Sequence, residues 1–484
     1  MNPAERRLTN EAVTSASSST NRLRSNTLTS WHVLVFCMAA AGPAASVALN
    51  YSFIGSFAGA AIPLAFIGTL VVIMLLANTI VEFSKRVVHA GSLYGWNSHA
   101  FGPGFGFVFG WVFVATYVIF AAAGFAVFGG WVSQWLATLM GWYIPWWLVT
   151  LVALIFIAYL AYAGIQPSIR TTLLLLSAEL VILLVLTVFM IVKAGPAGQS
   201  VRPFLPESAP TGWAGVGLGM VYAILSVVGF ETGATLSEET KQSKRSTGRG
   251  IFLAAIVLPV VYLIIAYGMV IGYGIHNMAR FASDPAPLQT LGNLYWGKAG
   301  ESIVVIAALS SILGFSQAAF NASTRVLYAL GRASLLPHAL SRTHVGRGTP
   351  TVAIMTMVVL SVVLGIPLGI VAGPFNVWGY FGFLISLGML IVYLSTNIAL
   401  IYYMLRYRRN EFHWLRHGAL PGLAVIALLY PLYNVVIPLP PMPNAIFPFV
   451  VAGWIVIGIA IAVALSRARP ELIQQASVVA EETL

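Results

Sequence analysis

The sequence predicts an all-α polytopic membrane protein of about twelve transmembrane helices. Three observations carry that reading. The 484 residues are 59% hydrophobic and only 8% charged, whereas a soluble domain carries about a quarter charged residues. Apolar runs near the roughly 20 residues needed to span a bilayer recur along the whole chain. They are continuous rather than alternating, which argues against a β-barrel. Finally, the 25 Lys and Arg residues are sorted by side. With the N-terminus inside, only Lys193, Arg202, Arg280 and Lys298 fall outside, so both termini are expected to be cytoplasmic. That topology accounts for the net charge of +11 without any nucleic-acid partner.

The elements follow in order. Residues 1–28 are polar and rich in Ser, Thr, Asn and Arg. They contain no apolar h-region, so a mostly disordered cytoplasmic tail is expected and not a signal peptide. The first span, 31–54, is interrupted by Gly42-Pro43-Ala44-Ala45-Ser46. Its Cys37 is a lone thiol read as packing. The second span, 60–82, ends at Glu82 beside Lys85 and Arg86, where a surface ion pair is expected. Spans three to five cover 104–136, 144–163 and 169–192; the fifth carries Glu179 in an otherwise apolar stretch. The sixth, 213–238, is interrupted by Gly229-Phe230-Glu231-Thr232-Gly233 and ends at Glu238 and Glu239. Spans seven to ten follow at 250–274, 302–331, 351–371 and 376–404, and the last two at 419–438 and 445–466. Residues 469–484 are expected to form a second cytoplasmic tail. No long linker divides the spans, so they make one transmembrane domain. Tryptophans at span ends, Trp31, Trp142, Trp146, Trp147, Trp213, Trp296 and Trp414, fit an interfacial belt.

The two breaks are the sequence mark of a secondary transporter. Lipid offers backbone groups no partners, so an interrupted ladder must face protein, water or a ligand. The amide end of each break suits an anion and the carbonyl end suits a cation or ammonium group. A zwitterionic amino acid carries both charges. Ala41, Gly42, Ala44, Ala45 and Ser46 from the first break, and Gly229, Phe230 and Glu231 from the second, are therefore candidate substrate-binding positions. A plain proline kink is the simpler alternative for the first break taken alone.

Two carboxyl groups stand out because a carboxylate within a membrane is costly unless it is protonated, paired or functional. Glu179 and Glu231 are accordingly candidates for ion coupling. Glu231 could equally cap the freed backbone of its own broken helix. For Glu238 and Glu239 a solvated face is the plain expectation, and an inner gate pairing with arginines the sharper one. The histidines at span ends and in loops, His89 and His417 among them, are expected to be solvated. The sequence shows no phosphate loop, no metal-spaced cluster and no nucleophile–base pair. Neither an enzyme nor a cofactor or metal site is expected.

Four stretches resemble the amino acid–polyamine–organocation superfamily of permeases, of the bacterial amino acid permease type. They are Ala41 to Ser46; Ala90-Gly91-Ser92-Leu93-Tyr94-Gly95-Trp96 with Phe101-Gly102-Pro103 and Gly110-Trp111; Gly229-Phe230-Glu231 through Glu238-Glu239 and Lys244-Arg245; and Asn321 through Tyr328 with Gly331-Arg332 and Leu336-Pro337. The resemblance implies a leucine-transporter-like fold of two inverted five-helix repeats, residues 29–200 and 201–410, followed by two extra helices at 411–468. It implies a site between spans 1 and 6, with Tyr117, Phe120, Gln317, Asn321, Trp378 and Tyr380 as candidates for the pocket wall. Relatives often hold a Lys in span 5 where this chain has Glu179, so a lysine-based coupling scheme does not carry over. Glu179 could titrate itself, or hold a sodium ion with span 1 carbonyls and the hydroxyl of Ser310 or Ser311.

The expected function is alternating-access transport of an amino acid, coupled to protons, in the bacterial inner membrane, by a monomer or homodimer. Open alternatives are a polyamine or small organic amine as substrate, sodium coupling, and exchange. In another class stand a transporter-like sensor, which the short tails disfavour, and a channel, which counterflow exchange in vesicles would reject.

Overall fold

A computed structural model describes residues 26–436, 442 and 444–468, and the helical reading holds throughout them. The two expected disordered tails lie outside the described residues, apart from Asn26 to Leu28. The helices are α1 (Ser30–Ala41), α2 (Pro43–Ala58), α3 (Ile62–Ser84), α4 (Leu93–Phe101), α5 (Pro103–Met140), α6 (Trp146–Ala163), α7 (Ile165–Gly198) and α8 (Trp213–Leu225). A 3-10 helix at Thr232–Glu239 precedes α9 (Ser243–Tyr273), α10 (Met278–Ser283), α11 (Pro287–Arg332), α12 (Thr351–Ala372), α13 (Pro374–Tyr407), α14 (Leu420–Val436) and α15 (Phe447–Ala468).

Every expected span has a helical counterpart. Nine segments are long and apolar enough to cross a membrane among the described residues, and one of them, Ser30–Ser84, contains both of the first two spans. The remaining expected spans are the shorter helices α8 and α14. α8 is short because its helix breaks early. It stops at Leu225, turns continue through Glu231, and the chain resumes as a 3-10 helix. The second break therefore begins at Ser226, three residues before the glycine that announces it.

The first break is narrower. Only Gly42 leaves helical geometry, with φ +56°, and Pro43 opens α2 at once. Proline suits a first helical position because its missing N–H needs no partner there. The packing then brings distant segments together. α2 lies against α8, α11 crosses α2, α5 and α7, and α13 lies along α5. These contacts surround the two breaks. The lipid-facing helices α6, α12 and α15 expose apolar side chains such as Ile155, Val359 and Val456. Of the seven tryptophans expected in an interfacial belt, Trp31, Trp142, Trp147, Trp213 and Trp414 are exposed, whereas Trp146 and Trp296 are half-buried against the core.

Candidate functional site

The two breaks touch each other. A Cβ added to Gly229, whose φ is +112°, would sit 2.7 Å from the backbone C and O of Ala40, at the end of α1. Only glycine fits both that conformation and that approach. Gly42 is similarly confined: a Cβ there would lie 2.8 Å from the Phe315 ring on α11.

The groups freed by the breaks find partners in side chains from other helices, as buried backbone must. The Ala41 carbonyl accepts from Ser46 Oγ at 2.8 Å and from the Tyr262 hydroxyl at 3.3 Å. Ser46 Oγ also lies 3.3 Å from the Ser226 carbonyl, so one hydroxyl bridges the two breaks. Asn50 Nδ2 donates to Ser226 Oγ at 3.1 Å. The Ala44 amide donates to Glu179 Oε2 at 3.2 Å. Ser311 Oγ is buried beside Gly42 and faces the Glu179 carboxyl group. Ser310 turns back to the Ala307 carbonyl of its own helix at 2.9 Å, so Ser311 alone of the expected pair faces the break.

Glu231 is fully buried. Its Oε2 accepts from the Tyr393 hydroxyl at 2.6 Å and from the Gly229 amide at 3.2 Å, and its Oε1 accepts from the Tyr117 hydroxyl. The carboxyl thus caps its own broken helix and ties it to α5 and α13. Tyr393 has no counterpart among the residues expected from sequence. Phe230 is buried beside it, with ring centroids 6.2 Å apart.

Between the breaks and α5, α11 and α13 lies a cavity of about 20 Å³. That is room for a water molecule and well short of an amino acid. Ala41, Ala45, Ser46 and Val228 border it on the side of the breaks, and Phe120, Phe315, Trp378 and Ile385 on the other. Phe120 and Phe315 stack with centroids 4.9 Å apart, and Trp378 lies 5.3 Å from Phe315.

Four expected wall positions do not line this cavity. Tyr117 is held by Glu231 instead. Gln317 and Asn321 are buried further along α11, toward Arg325. Tyr380 is half-buried and packs on Phe447 of α15 with centroids 5.9 Å apart. The helix period explains Tyr380: Trp378 and Tyr380 are two residues apart, so they cannot share a face. Phe315 and Ile385 were missed because an apolar residue in a membrane helix carries no mark of which way it points.

At the arginine-rich end, the glutamates after the second break are paired rather than solvated. Glu239 Oε2 accepts from Arg325 Nε at 2.7 Å. Glu238 accepts from both terminal nitrogens of Arg332, at 2.6 and 3.0 Å, and from the Ala90 amide at 2.8 Å. The chain before α1 joins this closure, with the Thr27 and Leu28 amides donating to the Glu239 carbonyl. Two further expectations are corrected here. Glu82 is buried, not at the surface, and binds Lys85, Arg86 and His417. His89 and His417 are also buried, each accepting a hydrogen bond from a nearby backbone amide, that of Gly91 and that of His413.

A helical membrane protein that encloses a cavity between two broken helices has the build of a transporter. The chain belongs to the amino acid permease family of the amino acid–polyamine–organocation superfamily: the family profile, described as amino acid permease, matches residues 28–462. It is 26% identical over 374 residues to the branched-chain amino acid permease BcaP of Lactococcus lactis subsp. cremoris (strain MG1363), covering 73% of this chain and 76% of that protein. It is 24% identical over 402 residues to BcaP of Bacillus subtilis (strain 168), covering 78% and 81%. It is also 24% identical over 362 residues to the low-affinity putrescine importer PlaP of Escherichia coli (strain K12), covering 72% and 75%.

Proposed function

We propose that the protein is a secondary active transporter that carries an aliphatic amino acid by alternating access. The observation that carries this reading is the two-faced lining of the cavity. Both helix breaks border one side, where backbone dipoles suit an ammonium and a carboxylate. The other side is Phe120, Phe315, Trp378 and Ile385, which suits an apolar side chain. The relatives named for branched-chain amino acids agree with that chemistry. The small cavity fits a closed state that must widen around its substrate, with the Glu238–Arg332 and Glu239–Arg325 pairs as the inner gate.

Coupling to protons is the favoured scheme. Glu179 and Glu231 are carboxyl groups buried within the membrane, each bound to the backbone of a break. A proton arriving at either changes the charge against that backbone, and with it the preference between open and closed arrangements. A sodium ion between Glu179, Ser311 and the carbonyls of α1 is the second scheme, supported by the hard oxygen donors gathered there. The lysine and arginine asymmetry supports cytoplasmic termini, and the bacterial relatives support a bacterial cell membrane.

A polyamine or other small amine is the rival substrate, prompted by the putrescine importer. Among the described residues no carboxylate borders the cavity, which weighs against a dication. Competition separates the two: excess leucine or valine is expected to abolish uptake of labelled leucine, and putrescine to leave it intact. Strong competition by putrescine with none by valine overturns the aliphatic assignment.

A further inference from the structure

A groove of about 1190 Å³ runs between α3, α9 and α14, away from the cavity. It exceeds the roughly 300–1,000 Å³ of ordinary small-molecule pockets. Its lining changes character along its length. Leu70, Val71, Met74, Leu75 and Phe252 form an apolar stretch. At the other end stand Lys85, Lys244, Arg245, Arg249 and Arg416, contributed by three separate parts of the chain. The acidic member of the lining, Glu82, is already engaged by Lys85, Arg86 and His417. Arg245, Arg249 and Arg416 are exposed and form no ion pair among the described residues.

The spacing fits one leaflet. From Leu70 to Lys85 along α3 the rise is about 22 Å, at roughly 1.5 Å per residue. Half the hydrocarbon core is about 15 Å, with a headgroup layer beyond it. We propose that this groove binds an anionic phospholipid of the arginine-rich leaflet. Its phosphate sits among Arg245, Arg249 and Arg416, and an acyl chain lies along Val71, Met74 and Phe252. Basic pockets between transmembrane helices recognise such headgroups by charge, and the apolar wall selects a lipid over a free phosphate ester.

The placement has a functional consequence. α9 begins four residues after the 3-10 helix that carries Glu238 and Glu239. A headgroup bridging the start of α9 to Arg416 before α14 would hold the segment following the second break. The lipid assignment itself does not depend on the proposed substrate or coupling ion.

The test uses the full chain, purified in a neutral detergent and titrated with phosphatidylglycerol, phosphatidylcholine or glycerol 3-phosphate, with bound lipid counted by native mass spectrometry. Phosphatidylglycerol is expected to bind saturably and the other two not. The combined R245Q/R249Q/R416Q variant should bind it on the order of 100-fold more weakly, from about fivefold per charge removed. Met74→Trp, which fills the groove and keeps every charge, should also weaken binding. It provides the test should the triple variant fail to fold. Binding of phosphatidylcholine as tight as phosphatidylglycerol, competition by glycerol 3-phosphate, or unchanged binding in these variants overturns the proposal.

Discussion

The Ala44 amide, two residues past the break at Gly42, donates to Glu179 Oε2 at 3.2 Å. A carboxyl on α7 thus holds the first turn of α2, which also borders the cavity through Ala45 and Ser46. Under the proton-coupled reading, Glu179→Gln keeps an oxygen that can accept this bond but cannot titrate. It should retain leucine counterflow and lose gradient-driven accumulation. Glu179→Ala leaves a buried N–H unsatisfied and should in addition cost about 1–3 kcal/mol of stability. Full gradient-driven uptake by Glu179→Gln would remove this residue from the coupling scheme.

The contact of Gly229 with Ala40 predicts a conformational defect. Gly229→Ala must place a side chain at φ +112° and 2.7 Å from backbone atoms. Such strain costs about 1–3 kcal/mol. Thermal unfolding in detergent should show a clear loss. Gly379→Ala on α13, where nothing lies within 4 Å, should change stability by less than about 0.5 kcal/mol. Equal behaviour of the two variants would contradict the close approach of the breaks.

Trp378 and Tyr380 offer a contrast within one helix turn. Trp378 borders the cavity and packs 5.3 Å from Phe315, while Tyr380 packs on α15. Trp378→Ala should weaken leucine transport at least tenfold in kcat/KM, and should shift preference toward bulkier side chains. Tyr380→Ala should leave both unchanged. The reverse pattern in an uptake assay would move the pocket to the other face of α13.

His89, in the connection before α4, predicts a pH effect on stability. Burial, reinforced by the nearby Arg332, pulls its pKa from 6.5 to about 3, against a smaller opposing pull from Glu238. Between those values the unfolded chain binds a proton that the folded chain refuses. Stability should therefore fall as the pH drops below 6.5, by up to about 1.4 kcal/mol per unit. Above 6.5 this histidine has no effect. His89→Asn should flatten that dependence in thermal unfolding measured across the range; an unchanged slope would show that other groups govern it.

The parts legible in the sequence were those marked by chemistry out of place. Gly42-Pro43 in an apolar run, Glu231 at a glycine break and Glu179 in an apolar helix each violate the rules of a membrane span, and each lies at the breaks. Tyr393, Phe315 and Tyr262 carry no such mark. A tyrosine in a span looks the same whether it faces lipid, core or a carboxyl group 162 residues away. Residues at span ends misled in the opposite way. Polar neighbours in sequence suggested solvent around Glu82, His89 and His417, but the folded connections bury all three.

The central claim is that the paired breaks bind an amino acid whose movement is coupled to protons. Its most direct test is uptake of labelled leucine by purified protein in proteoliposomes, with a proton gradient imposed and then collapsed by an ionophore. The account predicts saturable accumulation that depends on the gradient, is competed by valine, and is lost in Glu179→Gln while counterflow persists. Accumulation that ignores the proton gradient, or flux that never saturates, would contradict it.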